Sequence, residues 1–238
     1  MRPVAVLYRS LRTSLFTLFA ALAVSGAAGA ADLSRLTNSD AVAGLKDALQ
    51  QGAGKAIGLI GKTDGFLGND AIRIPLPDAI RKVERGLKLI GMQRQADELV
   101  TAMNRAAEQA VPEARTLLVD AIRNMSVKDA QGILTGSDTA ATEYFRQATS
   151  AQLTQRFLPI VTRMTKNVGL AEKYDSLAAK GVALGLVKSD QASIENYVTQ
   201  KALDGLFLTI AEQEKAIRKD PIGAATGIAR KVFDLLRK

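Results

Sequence analysis

Residues 190–219 read DQASIENYVTQKALDGLFLTIAEQEKAIRK. Leu203, Phe207, Ile210, Glu214 and Ile217 follow one another at spacings of four, three, four and three. That is the period of one face of an α-helix, whereas a strand would alternate every second residue. The spacing predicts a helix from Asp190 to Lys219 with an apolar stripe that needs a core to cover it. Glu214 stands in that stripe where an apolar residue is expected. A buried carboxylate costs several kcal/mol unless it is paired or protonated. Arg218, four residues on, is the natural partner, with the acid N-terminal to the cation. Two readings stay open: an ordinary surface pair near the helix end, or a buried polar network that lines a ligand pocket.

The same period extends outward through the chain. Ser39 or Asp40 is expected to cap a helix to about Ile60, with Val42, Leu45, Leu49, Ala53 and Ala56 on one side. Residues 62–69 read as a loop. In Ile72-Arg73-Ile74-Pro75-Leu76-Pro77 each proline pushes its predecessor out of the helical region, so this segment is expected to be extended. Further helices are predicted from Pro77 to Ile90, Met92 to Ala110, Pro112 to Asn124, Ser126 to Leu134, Ser137 or Asp138 to Val168, Leu170 to Lys180, and Pro221 to Leu236. Low aromatic content and abundant Ala and Leu agree. The fold class expected is all-α: a single-domain bundle of about eight or nine helices of mixed length, with one short extended Pro-containing segment.

The first 30 residues stand apart. Arg2, Arg9 and Arg12 precede a short apolar run, Leu15 to Val24, which ends in Ala28-Gly29-Ala30. That is the layout of a cleaved export signal, with the cut expected after Ala30. The run is about ten residues, where a membrane span needs roughly 20. The expected division is therefore a signal peptide over 1–30 and one helical domain over 31–238, with no transmembrane span after cleavage. The expected compartment is the periplasm of a Gram-negative bacterium.

Composition narrows the chemistry. The 238 residues include no Cys, His or Trp, and carry 32 Lys and Arg against 24 Asp and Glu, a formal charge of +8. Disulfides, thiolate nucleophiles and imidazole bases are excluded, and with them the Ser-His-Asp triad and Cys- or His-ligated metals. No metal site and no cofactor is expected. Removal of the three N-terminal arginines would leave 29 basic and 24 acidic residues, a net of +5. Residues 72–95 carry a local +4 and the last nine residues a local +3, which more than accounts for that net and leaves the rest at −2.

Two apparent motifs read as local structure. Ala56-Ile-Gly-Leu-Ile-Gly-Lys-Thr63 differs from a P-loop by Ala56 in place of the first glycine, and follows a helix rather than a strand. Asp64, Asn69 and Asp70 lack the spacing of a calcium loop and suit a turn with local caps.

In the predicted helix from Pro77 to Ile90, Arg81, Arg85 and Lys88 share one side with Lys82 beside them, opposite Ile80, Val83 and Leu87. A solvated charged face is one reading. The other is docking to an anionic envelope component: phospholipid headgroups, lipopolysaccharide or an acidic protein. Nucleic acid is not expected, since no aromatic stacking residues accompany the cations.

Polar residues also cluster on predicted helices. Asn104, Arg105 and Glu108 share a side beside the stripe of Leu99, Met103 and Ala106. Thr142, Tyr144 and Arg146 form a comparable group. With Glu214 and Arg218 these make one candidate polar cluster or pocket.

The order of Asp64-Gly-Phe66, Ile72-x-Ile-Pro-Leu-Pro77, Met103-Asn-Arg-Ala-Ala-Glu108, Ile133-Leu-x-Gly136, Ala141-Thr-x-Tyr-Phe-Arg146 and Ile217-Arg-x-Asp-Pro221 resembles the exported bacterial family catalogued as domain of unknown function 4197. The likeness runs from about Leu33 to Phe233. It implies export and helical character rather than a mechanism. Gln213 departs from the more acidic run that the family leads one to expect, so any acidic role there would fall on Glu212 and Glu214.

Two function classes follow. The first is a non-enzymatic binding or interaction module of the cell envelope. The second is a hydrolase acting on an envelope glycan with Glu108 and Glu214 as its carboxylate pair, which needs separations of roughly 5 to 9.5 Å. No catalytic residue is assigned, and oligomeric state is not legible.

Overall fold

The computed structural model describes residues 38–78, 93–166, 171, 172, 174, 175 and 193–220. Met1–Ser39 and Asp40–Lys238 form separate units, and the account below concerns the second. Its elements are α1 (Asn38–Ile60), α2 (Gln93–Ala110), a 3-10 turn (Val111–Glu113), α3 (Ala114–Asn124), α4 (Val127–Thr135), α5 (Ala140–Thr165) and α6 (Ile194–Lys219). The fold is all-helical, and no strand occurs among the described residues. The helices expected at 77–90, 170–180 and after Pro221 lie wholly or largely outside the described residues. None of the described helices is long and apolar enough to cross a membrane.

Helix ends follow local chemistry. At the end of α1 the Gly61 N–H returns to the Ile57 carbonyl at 2.8 Å, so the P-loop-like stretch closes a helix instead of opening one. The helix expected from Pro112 begins at Ala114, because Pro112 sits in the 3-10 turn. α4 opens on a capping box: the Ser126 hydroxyl accepts from the Asp129 N–H, and Asp129 accepts from the Ser126 N–H. α6 starts at Ile194 rather than Asp190, since Ser193 is extended and its hydroxyl caps the Asn196 N–H.

α5 packs against α6, α2, α3 and α4. Phe145, Leu153, Phe157 and Val161 of α5 meet Leu99 and Met103 of α2 and Val198, Leu206 and Phe207 of α6 in one buried core. Each such side chain contributes about 1.5–3 kcal/mol by leaving water. Ala106, Ala107 and Ala110 are fully buried on α2, and their small size lets neighbouring backbone approach closely.

Residues 61–77 carry no regular secondary structure. They form a loop followed by an extended strap in which Ile72, Ile74 and Leu76 are buried while Arg73 and Pro75 are exposed. Phe66 is fully buried and lies against α6 at Gly205, where an added Cβ would come within 2.6 Å of its ring. A loop so deeply embedded must have its backbone N–H and C=O groups satisfied by something other than a ladder. α2 supplies that something.

Candidate functional site

Asn104, Arg105 and Glu108 project from successive turns of α2 onto the loop and strap. The Glu108 side chain is 4% exposed, and its Oε1 accepts the N–H groups of Phe66 at 3.0 Å and Leu67 at 3.1 Å. Its Oε2 receives the Arg105 guanidinium at 2.7 Å. Arg105 reaches on to Asp64 Oδ1 at 2.8 Å, and contact with Glu108 first and Asp64 second raises its pKa. Asp64 has a φ of 62°, the left-handed conformation a short polar side chain tolerates in a turn. Asn104 is fully buried. Its Oδ1 accepts the Ile74 N–H at 2.9 Å, and its Nδ2 donates to the Ile74 carbonyl at 2.9 Å and the Val100 carbonyl at 2.8 Å. One amide side chain thus replaces a neighbouring strand for Ile74. The Tyr197 hydroxyl holds the next carbonyl, that of Pro75, at 3.1 Å.

A second set assembles around Glu214. The first four N–H groups of a helix lack partners within it. Thr139, at the N-cap of α5, provides no side-chain cap. Neither Ser137 nor Asp138, the caps expected from sequence, takes that place. Glu214 does so from α6: Oε1 accepts the Ala141 N–H at 2.9 Å, and Oε2 accepts the Thr142 N–H at 2.9 Å and its hydroxyl at 2.8 Å. A negative charge at this end also meets the positive pole of the helix dipole. Arg218 completes the set. Its Nε and a terminal guanidinium nitrogen lie 3.2 and 2.9 Å from Glu214 Oε1, and that same nitrogen donates to the Ile133 carbonyl at 2.9 Å. The expected Glu214–Arg218 pair is therefore present, and Glu214 is 5% exposed within a buried network rather than on the surface. Together Glu214 and Arg218 stitch the end of α4 to the start of α5.

The remaining candidates stand apart from both sets. Tyr144 donates its hydroxyl to the Ala121 carbonyl at 2.9 Å, and burial raises its pKa. The Arg146 guanidinium lies 4.5 Å from the centre of the Phe207 ring and 3.9 Å from Asp204. Arg81, Lys82, Arg85 and Lys88 lie outside the described residues.

The eight candidate polar residues thus form two clasps and two side contacts. Glu108 and Glu214 share no partner. Phe66, whose N–H Glu108 holds, packs at Gly205, while Glu214 lies nine residues and about 13 Å further along α6. Two open grooves are lined by other residues, one by Asp47, Gln50, Gln51, Gly54 and Arg115 between α1 and α3, the other by Leu158, Pro159, Thr162, Arg163 and Lys166 on α5. No group of three His, Cys, Asp or Glu side chains placed to hold a metal occurs among the described residues.

Sequence reasoning missed two partners. Asp64, expected in a turn with local caps, instead holds Arg105, and its place in the Asp64-Gly-Phe66 motif marks the loop that Glu108 holds. Asp175 also went unnoticed: its Oδ1 accepts the Ile194 N–H at 2.7 Å at the start of α6, and burial raises its pKa.

The family model described as Protein of unknown function (DUF4197) matches residues 35–234. No curated protein and no solved structure matches the chain.

Proposed function

The chain belongs to the DUF4197 family, and on that footing we propose that it is an exported, non-enzymatic helical module of the bacterial cell envelope, working through its outer surfaces. One observation carries the reading. Every side-chain oxygen of the buried acids Glu108 and Glu214 is committed to the chain's own backbone amides, hydroxyl or guanidinium groups. A general acid or base needs an oxygen within reach of substrate. Here that reach would require dismantling the loop at 64–67 or the start of α5. Support for export comes from the N-terminal Arg residues, the short apolar run and the Ala28-Gly29-Ala30 site. The basic residues Arg81, Lys82, Arg85 and Lys88 suit an anionic envelope component as partner.

The test has two arms. Osmotic-shock fluid from the native host is expected to contain the protein with Ala31 as its first residue, by intact mass; retention of Met1 in the cytoplasmic fraction overturns export. Purified protein incubated with isolated cell-wall sacculi is expected to release no soluble glycan above a buffer blank. Release that disappears in Glu108→Gln would restore the hydrolase and overturn the non-enzymatic reading.

A further inference from the structure

The second half of α5 carries a feature that the two clasps do not use. No Asp or Glu occurs between Glu143 and Glu172, a stretch that holds Arg146, Arg156, Arg163 and Lys166. Arg146 is engaged by Phe207 and Asp204. Arg156, Arg163 and Lys166 are exposed, and no ion pair joins any of them to a described acid. At about 100° per residue the three fall within an arc of about 80°, along about 15 Å of helix. Pro159 lies inside the same arc, and Leu158, Thr162, Arg163 and Lys166 join it around an open groove. Half-buried Leu158 borders the cations on one side; on the other, Ile160 and Met164 are partly buried and pack against the core.

The negative end of the helix dipole accounts for cations in the last turn, such as Arg163 and Lys166. It does not account for Arg156, about two turns before Arg163, nor for a face on which no ion pair reaches a described acid. Cations set beside the exposed Pro159 and the partly exposed Leu158 match a layer that is anionic at its surface and apolar beneath. The charged heads would meet phosphate while Leu158 and Pro159 enter the boundary.

We propose that this face of α5 docks on an anionic phospholipid surface. The inference rests on the reading of the chain as an envelope module and gives that module a contact distinct from Arg81, Lys82, Arg85 and Lys88. Each basic residue at such a surface strengthens binding by roughly fivefold, so loss of three predicts a loss on the order of a hundredfold.

Co-sedimentation of the purified full chain with vesicles of three parts phosphatidylcholine to one part phosphatidylglycerol tests it. The wild type is expected to bind at 20 mM salt and to be released at 500 mM, because the attraction is screened. The triple variant Arg156→Gln, Arg163→Gln, Lys166→Gln is expected to lose that binding while its thermal midpoint stays within a few degrees of wild type. Pure phosphatidylcholine vesicles should bind neither protein. Should the wild type fail to bind, or the triple variant bind like wild type, the proposal is overturned. If instead the variant of Arg81, Lys82, Arg85 and Lys88 to Ala alone loses binding, the α5 face falls while the envelope reading stands. A triple variant that unfolds is replaced by Arg156→Gln alone, expected to weaken binding about fivefold and to overturn the proposal if it does not.

Discussion

Glu214 and Thr142 are joined twice across 72 residues of chain: the same carboxylate oxygen accepts the Thr142 backbone N–H and its hydroxyl. The start of the central helix is therefore capped by a side chain from another helix. Arg218 holds that side chain while also gripping the end of α4.

Removing that carboxylate should be costly. Glu214→Ala leaves two helix-end amides and the Arg218 guanidinium without their buried acceptor, and breaking a buried pair from one side costs about 3–5 kcal/mol. Urea unfolding is expected to show a loss of that size. Glu214→Gln keeps an acceptor but not the charge and should fall between wild type and Glu214→Ala. A loss no larger than that of a typical surface substitution would contradict the cap.

Asn104 predicts a local effect. Asn104→Leu is close in volume, yet it leaves the Ile74 N–H and C=O unpartnered, at a cost of about 1–3 kcal/mol for each buried group left unsatisfied. Limited proteolysis should then cut the strap near Arg73 faster than in wild type, with cleavage in α5 unchanged. Equal cutting rates would mean that Asn104 does not hold the strap.

Two glycines should respond in opposite directions. Gly205→Ala puts a methyl group against the buried Phe66 ring and 3.2 Å from Ile72 Cβ. Overpacking of about 1–3 kcal/mol should outweigh the gain in helix propensity. Gly132→Ala, in the interior of α4, meets nothing within 4 Å and should gain about 0.5–1 kcal/mol. Thermal midpoints that move in the same direction would count against the packing at Gly205.

Asp129 carries a pH signature. Its hydrogen bonds to Ser126, side chain first and backbone second, lower its pKa below 3.8. The folded protein therefore holds this proton less tightly than the unfolded chain. The stabilisation is present above pH 3.8 and disappears as pH falls through the lowered folded value. Thermal melts should show Asp129→Asn below wild type at neutral pH, with the difference closing as pH falls below 3.8 and through the lowered folded value. A gap independent of pH would rule out the carboxylate's role in the cap.

The local parts of this fold were legible in sequence, and the distant ones were not. The stripe from Leu203 to Ile217 located α6, and the same stripe exposed Glu214 as a misplaced charge. Arg218 could be named as its partner because helical neighbours lie four residues apart. Ala141 and Thr142 could not, since no periodicity links a carboxylate to amides 72 residues away. That gap also explains the start of α5, where nearby Ser137 and Asp138 looked like caps but the work is done by Glu214. On α2, the shared side of Asn104, Arg105 and Glu108 was visible from their spacing. What they face was not, because an irregular loop declares its need for partners only once it is buried.

Amide hydrogen exchange measured residue by residue in Glu108→Ala and Glu214→Ala tests most directly whether these acids hold the chain's own backbone. The account predicts that Glu108→Ala lowers protection of the Phe66 and Leu67 amides by about 10- to 100-fold and leaves Ala141 and Thr142 near wild type. Glu214→Ala should do the reverse. Protection of all four amides unchanged in both variants would contradict the account and free both carboxylates for another role.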